Sequence, residues 1–193
     1  MDVMVLEIFA LSILRARPVH GYELKRRVQR PSLASLSNNS LYPMLRRFEN
    51  EGLVTRTTQA QEGKPARNVY AITDAGRERL RSLLWTLPPD LATNEEEFLV
   101  RVSFFHEIPE ANQRAIITAR EAVLAASRAK ISSLLAELDE SPKSEWRGHV
   151  VMQHVLDTID AERTWIAGLA SRSELTNTPH PNPTIEPAKA ILQ

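Results

Sequence analysis

The sequence predicts a mainly α-helical protein in two parts: a head of three helices, a β-hairpin and a fourth helix, followed by an all-helical arm. Three observations carry this. Apolar residues recur with helical spacing along most of the 193 residues. One Val- and Thr-rich stretch, between about 53 and 73, is broken by a polar turn containing Gly63 and Pro65. Pro88-Pro89 then interrupts the chain, and no strand pattern follows it. The expected division is a head over 1–88, an arm over 89–175 and a proline-rich flexible tail over 176–193.

Residues 3–16 read as a helix that is apolar nearly all round, with Val5, Leu6, Ile8, Phe9, Leu11, Ile13 and Leu14. Arg15, Arg17 and Pro18 end it, since basic residues suit a helix C-terminus and proline cannot continue it. A second helix is expected from about His20 to Gln29, on Tyr22, Leu24 and Val28. A third begins in Ser37-Asn38-Asn39-Ser40, all favourable N-cap types. It stops at Gly52, a C′ glycine. Leu41, Met44, Leu45 and Phe48 form its buried stripe, and Asn39, Tyr42, Pro43, Arg46 and Arg47 its polar face. Strands follow over Leu53–Gln59 and Arg67–Thr73, and Asp74 is expected to cap a fourth helix carrying Leu80, Leu83 and Leu84.

In the arm, Glu95-Glu96-Glu97 suits the positive end of a helix bearing Phe98, Val102 and Phe105, and is expected to be solvated. Pro109 opens a long helix to about Asp139, in which Ile117, Leu124, Ile131 and Leu138 repeat every seven residues, as in a coiled-coil seam. A last helix, about 144–170, carries Val151, Val155, Ile159, Ile166 and Leu169 on one side. A two-helix arm has little neighbouring core to hide both stripes, so pairing with a second chain is expected, with intramolecular packing as the alternative.

Composition narrows the function. There is no cysteine, which excludes disulfides, thiolate nucleophiles and cysteine zinc sites. No apolar run approaches the length of a membrane span. Met1 to Glu7 has no basic region and is broken by Glu7, so no signal peptide is expected and the cytoplasm is the expected compartment. Net charge is zero, but residues 1–90 hold 14 basic and 9 acidic residues, while 91–193 hold 10 and 15. A basic head attracts phosphate and an acidic arm repels it. No metalloprotease, nucleophile-elbow, Walker or dinucleotide motif is present. His149 and His154 are five apart and do not share a helix face. No catalysis, metal or cofactor is expected.

Three helices followed by a hairpin make a winged helix-turn-helix. Its third helix fits a DNA major groove, where Asn and Arg read base edges. Its basic hairpin tip, with Lys64 and Arg67, reaches phosphates or the adjacent minor groove. The run Gly21-Tyr22-Glu23-Leu24, then Leu41-Tyr42-Pro43, then Leu45-Arg46-Arg47-Phe48-Glu49-Asn50-Glu51-Gly52-Leu53, then Gly63-Lys64-Pro65-Ala66-Arg67 through Tyr70 to Gly76 resembles the PadR family of bacterial transcriptional regulators. The resemblance covers residues 3–85, and the remainder is similar to the longer C-terminal region of one branch. It implies a homodimer that represses transcription from a roughly palindromic operator, with release by a small aromatic effector in some members. The chain departs from the pattern in three places. Asn38-Asn39-Ser40 stands where glycine is usual, Lys64 replaces the wing arginine, and Val69 replaces a tyrosine.

The candidate DNA-binding residues are therefore Asn38, Asn39, Ser40, Tyr42, Arg46, Arg47, Lys64 and Arg67, with Arg26 and Arg27 weaker candidates. Each has a structural alternative: a cap for Asn38 to Ser40, half-buried packing for Tyr42, solvated charge for the cations. The candidate dimerisation residues are Ile117, Leu124, Ile131, Leu138, Val151, Val155, Ile159 and Ile166. Trp85, Trp146 and Trp165 suit either an effector pocket or ordinary anchoring. The expected function is a dimeric regulator binding double-stranded DNA. The alternative is a winged helix used for protein docking without DNA.

Overall fold

A computed structural model describes residues 3–28, 41–61, 64–139 and 146–173. In order these form α1 (Val3–Ala16), β1 (Val19–His20), α2 (Gly21–Val28), α3 (Leu41–Asn50), β2 (Val54–Gln61), β3 (Lys64–Ile72), α4 (Asp74–Trp85), α5 (Glu95–Val102), α6 (Glu110–Asp139) and α7 (Trp146–Ser173). Short 3-10 turns lie at Leu91–Thr93 and Phe105–Glu107. The fold is mainly helical, with a winged-helix head and further C-terminal helices. The expected tail over 176–193 lies outside the described residues.

Helix α1 is central because it is apolar on almost every side. Val5, Leu6, Ile8, Ala10, Leu11 and Leu14 are all buried, packing against α2, α4, β3 and α5. Glu7 is buried on the same helix, with Arg47 of α3 and Arg79 of α4 on its two carboxylate oxygens. Helix α3 ends as its glycine predicts. Gly52 takes φ +70°, Leu53 N–H donates to the Phe48 carbonyl at 2.8 Å and Gly52 N–H to that of Glu49 at 3.1 Å, a Schellman closure.

The sheet differs from the expected hairpin. It has three antiparallel strands in the order β1-β3-β2. The third is the two-residue β1, whose Val19 and His20 pair with Tyr70 and Val69. His20 therefore ends a strand and does not begin α2. The hairpin ladder also runs further than expected, to Gln61 opposite Lys64, with an irregularity between Gln59 and Gln61. The α4 cap is Thr73, not Asp74: its hydroxyl accepts from Gly76 N–H at 3.1 Å and donates to the Gly52 carbonyl at 2.7 Å. Gly76 is required there, since a Cβ would stand 2.1 Å from the Leu53 carbonyl oxygen.

In the arm, α5 stops at Val102, and Phe105 belongs to the separate 3-10 turn. Asn94 caps α5 by accepting from Glu96 N–H. The expectation that Glu97 is solvated is corrected. It is fully buried and accepts a hydrogen bond from the equally buried Arg101, one turn on, at 2.6 Å. Arg101 also donates to the Thr86 carbonyl at the end of α4, tying arm to head. Helices α6 and α7 pack antiparallel, clasped by Arg120–Glu162, Arg128–Asp160 and Arg163–Glu121. No described helix is long and apolar enough to cross a membrane.

Candidate nucleic-acid interface

The sequence of α3 dictates which of its sides is free. Leu41, Met44, Leu45 and Phe48 are buried against the head, so Tyr42, Pro43 and Arg46 face outward. Tyr42 is 45% exposed. The two neighbouring arginines part company. Arg46 points away from the core with no carboxylate of a described residue in ion-pair range. Arg47 turns back to Glu7, lies 3.8 Å from Glu51 and covers the Phe48 ring.

Beside α3 stands the start of α2. Tyr22 is 74% exposed, and Arg26 lies one turn further along. From β3, Arg67 and Asn68 are exposed and border the same region. Tyr22, Tyr42 and Tyr70 are the three tyrosines of the chain. Together with His20, Arg26 and Arg67 they line a cleft of about 480 Å³. Gly21 forms part of its floor, where a Cβ would meet the Tyr70 ring at 3.3 Å and the Tyr42 ring at 3.5 Å. The Tyr70 hydroxyl is held above its ordinary pKa, chiefly by burial.

The charge on this face is uncommitted. Elsewhere arginines are neutralised locally: Arg15 by Glu107, Arg17 and Arg27 by Glu23, Arg56 by Glu49, Arg79 by Glu7 and Arg81 by Glu78. Among the described residues no carboxylate pairs with Arg26, Arg46 or Arg67. Arg77 is also unpaired but lies apart, in a 170 Å³ cavity with Trp85, Arg15 and Arg81. An exposed arginine without a local partner keeps its full charge and its planar donor fork for an external anion.

Of the sequence-predicted residues, Tyr42 and Arg67 line one cleft, Arg46 is exposed one turn along α3 from Tyr42, and Arg47 turns back to Glu7. Asn38, Asn39 and Ser40 lie outside the described residues. Lys64 opens β3 opposite Gln61. Arg27 is paired to Glu23 at 2.9 Å. Tyr22, expected as a packing residue of α2, is instead exposed next to the buried Gly21. The arm stripes are divided. Leu124, Ile159 and Ile166 are buried within the chain itself, whereas Ile117, Ile131, Leu138 and Val155 are half-buried and Val151 is 62% exposed. Trp85 lines the smaller cavity, and Trp165 sets its edge on Phe98 at 6.1 Å while staying 43% exposed. No group of three His, Asp or Glu that could hold a metal occurs among the described residues.

Comparison with known proteins gives a consistent identity. The model of the "Transcriptional regulator PadR-like family" matches residues 10–82. A solved PadR-like transcriptional regulator from Bacillus cereus is 37% identical over 40% of this chain and 76% of its own, with a TM-score of 0.36. A "Probable transcriptional regulator" of Mycobacterium tuberculosis is 42% identical over 62 residues, 31% of this chain and 33% of that protein. The "Negative transcriptional regulator PadR" of Bacillus subtilis is 28% identical over 102 residues, 52% of this chain and 56% of that protein. The Bacillus subtilis protein has been solved with operator DNA, a structure with TM-score 0.42 and 20% identity over 87% of this chain and 97% of that one. The chain thus spans from a third to little over half the length of the curated relatives it matches. With the winged head and its family pattern in place, the chain belongs to the PadR-like family of transcriptional regulators.

Proposed function

We propose that this chain works as a homodimer that binds double-stranded DNA through the α2–α3–β3 face and represses transcription. The observation that carries this is the gathering of Arg26 and Arg67 around the exposed Tyr22 and Tyr42, with the exposed Arg46 one turn further along α3, all three without carboxylate partners among the described residues. In a protein of zero net charge, uncommitted cations concentrated on one face favour a polyanion. α3 enters the major groove with Arg46 toward the bases, and Asn38 and Asn39, which precede it in the sequence, are further candidates for DNA contact. Ser40, Tyr42 and Arg47 belong to the phosphate-contacting rim, and Lys64 and Arg67 carry the wing to the backbone. Arg47 reaches a phosphate only by leaving Glu7, so its contribution is the smallest of these. That the Bacillus subtilis relative has been solved with operator DNA supports the reading.

The division of labour follows the chain: residues 1–88 hold DNA and 89–175 pair the subunits. The surface for pairing is α7, where Val150, Val151 and Trp165 are exposed, together with the half-buried Ile117, Ile131, Leu138 and Val155 of the two arm helices. Leu124, Ile159 and Ile166 support that surface from within. A regulator of this kind acts in the cytoplasm, without cofactor or catalysis.

The test is selection of binding sites from a random duplex library, followed by hydroxyl-radical footprinting on the winner. A twofold-symmetric site with two protected patches about 34 Å apart is expected, one DNA turn between paired recognition helices. Failure to enrich any sequence would favour the docking-module reading.

A further inference from the structure

We propose that Arg101, Asn112 and Arg120 are positioning residues that fix the angle of the head on the arm, and so restrict the chain to one spacing between DNA half-sites. The second part rests on the dimeric DNA reading above. A helix leaves its last carbonyls without intrahelical donors. Those at the end of α4, the last helix of the head, are met by the arm. Asn112 of α6 donates its side-chain amide to the Trp85 carbonyl at 3.0 Å, and Arg101 of α5 donates to that of Thr86 at 2.6 Å. At the far end of the connector 86–94, Arg120 of α6 donates to the carbonyls of Ala92 and Thr93 at 2.8 and 3.1 Å. Both arginines are buried, and each is itself anchored: Arg101 on Glu97 at 2.6 Å, Arg120 on Glu162 of α7 at 2.7 and 2.9 Å. Between these grips the connector is stiff. Pro88-Pro89 restricts two φ angles, and the Pro88 carbonyl accepts from the N–H groups of Leu91 and Ala92.

Apolar packing does not select this angle. Head and arm share one apolar core, but apolar burial is non-directional, so such surfaces slide on one another at little cost. A hydrogen bond to a fixed carbonyl weakens steeply once it bends. For the two buried arginines, a lost carbonyl leaves a charged donor unsatisfied, which is costlier still. Donors from two arm helices, aimed at both ends of one stiff connector, are satisfied together at a single docking angle. In a dimer that angle sets the separation of the two recognition helices. Half-sites moved apart are reached only by tilting the heads, and tilting breaks these bonds.

The variant Glu97→Leu/Arg101→Met/Asn112→Leu removes the grips on α4 and leaves apolar side chains in their place. Its affinity is measured for an isolated half-site, for the selected duplex, and for that duplex with two base pairs added between its half-sites. The addition moves them about 7 Å apart and turns them by roughly 70°. The parent should lose about tenfold or more on the lengthened duplex, and the variant less than about threefold. Both should bind the isolated half-site equally, a result that a damaged head would not give. Arg128→Ala breaks an ion pair further along the arm, to Asp160, and should keep the parent's discrimination. A second readout needs no DNA. The chain has no cysteine, so Ser82→Cys on α4 and Ser127→Cys on α6, both at exposed positions, alone take spin labels. Pulsed electron resonance on labelled chain diluted into unlabelled chain then gives the distance between head and arm. Its distribution should be narrow in the parent and broad in the variant. Asn112→Leu alone should shift both readouts in the same direction to a smaller degree, and serves where the triple variant does not fold. The proposal is overturned if the variant discriminates between the two duplexes as the parent does, if the parent accepts both, if Arg128→Ala relaxes the spacing as much, or if the distance distribution is equally narrow in parent and variant. If no duplex binds while the distribution still broadens, the DNA reading fails and the clamp on the angle stands.

Discussion

Arg101 and Glu97 are among the most deeply buried side chains of the molecule. Among the described residues Glu97 leaves its Oε1 without a partner, while Arg101 directs its donors to Glu97 and the Thr86 carbonyl. Buried pairs of this kind are costly to break and cheap to replace whole. Arg101→Met alone is expected to destabilise by about 3–5 kcal/mol in urea denaturation, and Glu97→Leu/Arg101→Met together by far less. Gly76→Ala is expected to cost about 3 kcal/mol or to prevent folding, because its Cβ would enter the Leu53 carbonyl. Glu107 behaves differently, being partly exposed. The hydrogen bond from Arg15 is the main reason its carboxyl lies below the ordinary 4.5. A depressed carboxyl stabilises above its unfolded pKa and loses that contribution as pH falls through the folded value. The stability difference between the parent and Arg15→Ala should be about 0.5–1 kcal/mol at pH 7, as for screened pairs, and shrink steadily below pH 4.5.

At the scale of elements, the proposed pairing of two chains rests on α7. Val151→Asp lies at a 62% exposed position and should leave the chain folded. Equilibrium sedimentation should then report a monomer, and DNA affinity should fall by more than tenfold, since a half-site alone loses the second set of contacts. A dimer that survives the substitution would move the interface elsewhere. Elements also show what a sequence discloses. The end of α3 was legible at Gly52 because a Schellman closure is local chemistry. The strand β1 was not, because two residues have no periodicity and Val19-His20 become a strand only through Tyr70 and Val69 of β3. The seven-residue repeat in α6 could not say which chain covers it, and it left out Ile116, which is buried within this chain. Leu124 is buried within this chain, next to half-buried Ile117 and Ile131. Glu97 misled because an acidic run at a helix start is normally solvated, and only tertiary packing shows that Arg101 follows it into the core.

For the whole molecule, zero net charge conceals a basic first half and an acidic second half. That asymmetry was legible by counting. Which arginines are available was not, because availability depends on where carboxylates fold. Arg46 and Arg47 are adjacent in sequence, yet one faces out and the other closes on Glu7. The central claim is that Arg26, Arg46 and Arg67 are held free to meet DNA, Arg26 and Arg67 at its phosphates and Arg46 at the bases. The most direct test is fluorescence anisotropy of a selected duplex across a range of salt, comparing the parent chain with Arg26→Ala/Arg46→Ala/Arg67→Ala. We predict a steep log–log slope for the parent and one shallower in the variant by about 0.9 for each phosphate contact removed, with weaker affinity at every salt concentration. A salt-independent affinity, or a variant that binds as the parent does, would contradict it.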